Sequence, residues 1–165
     1  MRQDARRVLL RRVLFVLSLV IAALIFFFSS QEGEESSGMS QGITRFLLQI
    51  FVPDYEVFSS QKQAAYIRSF TFFVRKGAHF TEFGVLAFVL LHYLRLRLAG
   101  GSLPLSGLLA WAVATLYAGT DEWHQMFVSG RDASLRDVCV DSAGALTGVL
   151  LAVALQMACK RRKRS

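Results

Sequence analysis

The sequence has little of what a soluble enzyme usually carries. It contains no HExxH pair, no CxxC, no zinc-ribbon spacing, and nothing like a nucleophile elbow or a phosphate-binding P-loop. Those patterns fix reactive groups through local geometry, so their absence removes the commonest sequence-encoded catalysts. There are only two cysteines, Cys139 and Cys159, placed 20 residues apart on one predicted helix. At 1.5 Å per residue they stand about 30 Å apart and cannot bridge. They read as buried small apolar residues. No internal repeat is present, which excludes solenoid and propeller architectures.

Apolar residues are what the chain has in abundance. They make up 53% of 165 residues, and mean hydropathy is +0.41. This predicts a single domain, residues 1–165, with much of its surface in lipid. Four apolar stretches approach the roughly 20 residues that cross a bilayer core, at about 8–28, 77–98, 103–123 and 138–158. The predicted fold class is an all-α membrane protein with four transmembrane helices. Basic residues before the first stretch resemble a secretion signal. No small-x-small cleavage pattern follows Phe26-Phe27-Phe28, so an uncleaved first helix is expected.

Charge is distributed unevenly about these stretches. Four spans put both termini on one side, together with the short link after the second span. That side collects 12 of the 19 Lys and Arg, among them Arg2, Arg6, Arg7, Arg11, Arg12, Arg95, Arg97 and the run from Lys160 to Arg164. Of the 12 acids only Asp4 joins them. The positive-inside rule therefore predicts a multi-pass protein of the cell membrane with both termini cytoplasmic. A pI near 10.0 suggests nucleic acid at first sight. Basic residues flanking membrane spans instead suit anionic lipid headgroups, so membrane lipids are the expected partner and nucleic acid is not.

The loop after the first span is then external. Gln31–Ser37 is polar and acidic and is expected to be mobile. Ile43–Val52 is too short to span and predicts an interfacial or re-entrant helix, broken by Pro53-Asp54. A further helix should start near Ser59 or Ser60 and run into the second span.

Ionisable groups inside apolar runs are expensive and default to a functional hypothesis. Three predicted helices deliver them to a similar depth. Arg75, His79 and Glu82 share a helical face, as do Tyr117, Asp121 and His124, and as do Asp137, Asp141, Gly144 and Gly148. In the last stripe the carboxylates stand above a GxxxG, which permits close helix contact. Ser134 fits an N-cap, so Asp137 also reads as the start of the fourth span. The predicted cluster comprises Arg75, Lys76, His79, Glu82, Asp121, Glu122, His124, Gln125, Arg131, Asp137 and Asp141. Glu82 needs a partner, with Arg75, Arg131 or Arg136 as candidates. His92, near the other membrane face, reads as interfacial packing.

At these residues the chain resembles the VanZ-like family of small bacterial membrane proteins. The matching stretches are Phe28–Gln31, Arg75–Phe83, Thr120–Phe127, Gly130–Ser134 and Asp137 through Gly144. Phe83 stands where the family often has Tyr, so no hydroxyl role falls to it. Val128-Ser129-Gly130 looks like the family's Pro-Gly turn without its proline. The resemblance implies an integral membrane protein of the cell envelope, found chiefly in Gram-positive bacteria. Its namesake confers low-level resistance to teicoplanin.

Two functions compete. In the first, the external cluster binds a lipid, a lipid-linked wall intermediate or a glycopeptide, and so alters glycopeptide tolerance. Arginines would hold phosphate or carboxylate through paired hydrogen bonds. In the second, a membrane enzyme acts on a lipid-linked substrate through His79 or His124 with Glu82 or Glu122 as acid and base. The binding role is preferred, with no cofactor and no metal expected. A proton-coupled transporter would need a wider path than four spans provide.

Overall fold

The computed structural model describes residues 2–98, 102–131 and 133–162, and only the backbone of residues 2 and 33–35. Asp132, Lys163 and Arg164 lie outside the described residues. Five α-helices follow in order: α1 (Arg2–Ser29), α2 (Gly33–Phe51), α3 (Ser60–Arg97), α4 (Leu103–Gln125) and α5 (Leu135–Arg162), with a 3-10 turn at Tyr55–Val57 before α3. Among the described residues there is no strand. Four helices, α1, α3, α4 and α5, are long and apolar enough to cross a membrane. The all-helical fold with four spans and an extra helix after the first is the architecture that the hydropathy pattern predicts.

Two local expectations fail. The segment Gln31–Ser37, expected to be mobile, is helical from Gly33, so the extra helix begins ten residues earlier than Ile43. Its inner stripe is Ser36, Ser40, Thr44 and Leu48, all buried, while Met39, Ile43, Phe46 and Ile50 face outward. Small hydroxyl side chains allow close helix contact, and Thr44 Oγ1 satisfies itself on the carbonyl of Ser40 at 2.7 Å. α2 thus packs by its polar stripe on α3 and turns its apolar stripe outward, as an interfacial helix does. The cysteines are also exposed on the outer face, where they were expected to be buried.

α3 runs unbroken for 38 residues, about 57 Å, well beyond a bilayer core of about 30 Å. Ser59 caps its start by accepting the N–H of Lys62. Its first turns carry Ile67 against Leu48 and Tyr55, a small apolar cluster that fastens α2 to α3.

α3 packs most extensively against α5. The two run in the same direction, because Lys76 meets Asp137 near one end and Arg95 meets Gln156 near the other. α1 and α4 run the opposite way, with Tyr117 Oη donating to the Ala22 carbonyl at 2.7 Å. The core between them is small-residue packing: Ala110, Ala114 and Ala118 of α4 meet Ala145, Val149 and Ala152 of α5, with Phe83, Leu86, Ala87 and Leu91 of α3. The result is a bundle with two unlike ends. One gathers Arg7, Arg11, Arg12, Arg95 and Arg97. There His92 bonds the Phe88 carbonyl at 2.8 Å and stacks on its ring, which is the packing role its position suggests. The other end holds the predicted polar cluster.

Candidate functional site

Two glycines determine how the cluster assembles. A Cβ on Gly144 would run into the carbonyl of Phe80, and one on Gly148 into the carbonyl of Gly84. The GxxxG therefore lets α5 lie backbone to backbone on α3. One to two turns toward the polar end, this contact sets Lys76 against Asp137 in an ion pair. It also sets His79 Nδ1 4.0 Å from Asp141 Oδ2. Neither of those last two atoms has a hydrogen-bond partner, although both are buried.

The final turns of α4 present two faces with different duties. Tyr117, Asp121 and His124 all turn to α1. Asp121 Oδ2 accepts from Ser29 Oγ at 2.7 Å and from Gln125 Nε2 at 2.9 Å. The His124 ring packs on Phe26 at 4.5 Å between centroids. The neighbouring face carries Glu122 and Gln125 toward α3 and α5. Glu122 accepts the backbone N–H of Ser134 at 2.8 Å, which anchors the start of α5, and Ser134 Oγ accepts the N–H of Arg136.

Between these helices the chain turns at Gly130, whose φ of 71° suits a glycine. The turn sends Arg131 back under α1. Its Nη2 donates to the Phe28 carbonyl at 3.0 Å, its Nε to the Gln31 carbonyl at 3.2 Å, and its Nη1 to Gln125 Oε1 at 3.4 Å. All three acceptors are neutral. Burial pulls the Arg131 guanidinium below its ordinary pKa, and nearby Arg75 adds to this while Asp121 and Glu122 oppose it.

A cleft of about 150 Å³ opens among these groups, lined by Arg75, Lys76, His79, Glu122, Gln125, Gly130, Arg131, Asp137 and Asp141. Arg75 makes no hydrogen bond or ion pair among the described residues. The cleft thus holds one lysine committed to a carboxylate and two guanidiniums with no carboxylate partner among the described residues.

The family model of VanZ/LLP1 matches residues 14–156. The chain belongs to that family. No curated protein and no solved structure matches it.

Of the eleven residues singled out in the sequence of this VanZ/LLP1 chain, eight line the cleft. Asp121, His124 and Glu82 do not. Asp121 stands just behind it, reaching it through Gln125. His124 is turned away, because its helical stripe is the one packed on α1. Glu82 gains none of its candidate arginine partners among the described residues. It borders a separate recess between α2 and α3. Phe83 is fully buried and stacks near Tyr117, consistent with a packing role. Sequence reasoning missed Ser29 and Gln31, which fasten Asp121 and Arg131; both lie in the Phe28–Gln31 stretch that carried the family resemblance. Gly130, read from the sequence as a turn, lines the cleft although it was not counted in the cluster. Among the described residues no three His, Cys, Asp or Glu side chains converge as a metal site would require.

Proposed function

We propose that this VanZ/LLP1 protein acts at the cell envelope by binding, in its polar cleft, the phosphate or carboxylate of a lipid, a lipid-linked wall intermediate or a glycopeptide. The observation that carries this reading is the state of Arg75 and Arg131. Both line the cleft, and among the described residues neither is neutralised by an ion pair. A guanidinium matches an oxyanion through two parallel hydrogen bonds. Gln125 and the Lys76–Asp137 pair orient the rim. The small volume suits one anionic group, with the remainder of the ligand outside. The asymmetry of charge supports an orientation in which the arginine-rich end faces the cytoplasm and the cleft faces outward. An outward cleft is where wall precursors and glycopeptides meet, and teicoplanin tolerance is the expected phenotype.

The test is Arg75→Ala, scored for membrane abundance and teicoplanin tolerance together. Loss of tolerance at unchanged abundance is expected. Unchanged tolerance in a strain where the wild-type gene confers it would remove the role. A second reading, acid–base catalysis on the bound group, is favoured by one observation, the facing and unpartnered His79 Nδ1 and Asp141 Oδ2. It requires a covalently altered product that His79→Gln no longer forms.

A further inference from the structure

The polar cleft has an apolar neighbour. A recess of about 180 Å³ lies between α2, α3 and the end of α1. Three of its lining residues, Arg75, His79 and Arg131, also line the polar cleft. The two cavities are therefore the two sides of one set of side chains, the guanidiniums of Arg75 and Arg131 and the imidazole of His79. On the far side the walls are mostly apolar, Phe28, Met39, Ile43 and Ala78, with Ser36, Ser40 and the Glu82 carboxylate among them, and Met39 and Ile43 are 43% and 53% exposed.

We infer that the ligand of the cleft is a lipid, held with its anionic headgroup on Arg75 and Arg131 and with the first part of its hydrocarbon chain in the α2–α3 recess. This rests on the reading of the cleft as an anion site, and it commits that site to a tailed anion over a soluble one. The argument is one of continuity. A lipid phosphate has an ionic group and a hydrocarbon chain joined within a few bonds. The recess and the cleft offer the matching sequence of surroundings across a single layer of side chains. A hydrophobic driving force does not enter, because the chain is in apolar surroundings whether in the bilayer or in the recess. The recess matters because it lets the headgroup reach the arginines while its chain stays out of water. α2 forms the outer wall of that passage. Its contact on α3 through Ser36, Ser40 and Thr44 leaves Met39 and Ile43 at the mouth.

The test uses the full-length protein in phosphatidylcholine nanodiscs doped with a phosphatidate whose acyl chain carries a diazirine near the headgroup. Photolysis should label Met39, Ile43 or Ala78. Met39→Trp, which narrows the mouth, should lower that labelling at least about tenfold, the equivalent of 1.4 kcal/mol. Inorganic phosphate should still protect Lys76 from amine-reactive labelling in the same variant. Labelling confined to outward residues such as Leu9, Val16 and Leu24, with none at the recess, would overturn the inference even if Met39→Trp folds poorly. Phosphate protection that survives while Met39→Trp leaves lipid labelling unchanged would overturn it too, and the anion site would stand. Arg75→Ala that abolishes neither lipid labelling nor phosphate protection would instead overturn the anion site itself.

Discussion

The α4 side and the α3 side of the polar end carry the same residue types and use them differently. On the α4 side most polar groups hold helices together, although Asp121 Oδ1 and His124 Nδ1 are buried without a hydrogen-bond partner among the described residues. Asp121 fastens Ser29, Glu122 fastens Ser134, and Gln125 with two α1-end carbonyls fastens Arg131. On the α3 side Arg75 and Glu82 have no hydrogen bond or ion pair among the described residues, and His79 faces Asp141 across a gap. A buried polar group without a partner costs roughly 1–3 kcal/mol. Beside the cleft that cost falls on His79 Nδ1 and Asp141 Oδ2, where a ligand could relieve it. The lesson is that charge at membrane depth does not mark a site by itself. Charge left unsatisfied beside a cavity is the stronger pointer to one.

The comparison can be broken most severely at the contact that creates it. Gly148→Val should push α5 off the Gly84 backbone and separate both walls. The expected loss lies at or beyond the upper end of the roughly 1–3 kcal/mol that overpacking costs. Thermal unfolding in detergent measures it; a variant as stable as wild type would mean the α3–α5 contact is looser than described. Asp121→Ala attacks the fastened wall alone. It strands Ser29 and Gln125, and a loss of about 1–3 kcal/mol is expected with α1 detaching first. Faster hydrogen exchange in the last turn of α1 than in α5 would report this. The smallest effect is expected at His124→Phe, which keeps the ring contact with Phe26. Stability should stay within about 0.5 kcal/mol, and anion binding should not change. Weakened binding there would bring His124 into the site from which its helical stripe removes it.

The same comparison shows what the sequence made legible. Four apolar runs, the GxxxG and the length of α3 could be read directly, since length, small-residue spacing and capping at Ser59 are local properties. The division of labour could not. Tyr117, Asp121 and His124 share a stripe, but the sequence does not say which neighbour a stripe meets, and this one meets α1. The early start of α2 was hidden because Gln31–Ser37 reads as a polar, acidic loop. In a helix, serine and threonine side chains bond to their own backbone and pack like small apolar residues.

The central claim is that Arg75 is available for a ligand because no group among the described residues uses it. Unfolding of the full-length protein in detergent, with and without a short-chain lipid phosphate, tests it most directly. A ligand that binds only the folded state raises its stability by about 2.7 kcal/mol at one hundred times Kd. The account predicts that Arg75→Ala unfolds at the wild-type temperature without the lipid phosphate and gains no stability when it is added, while wild type gains it. An equal gain in both proteins would contradict the claim.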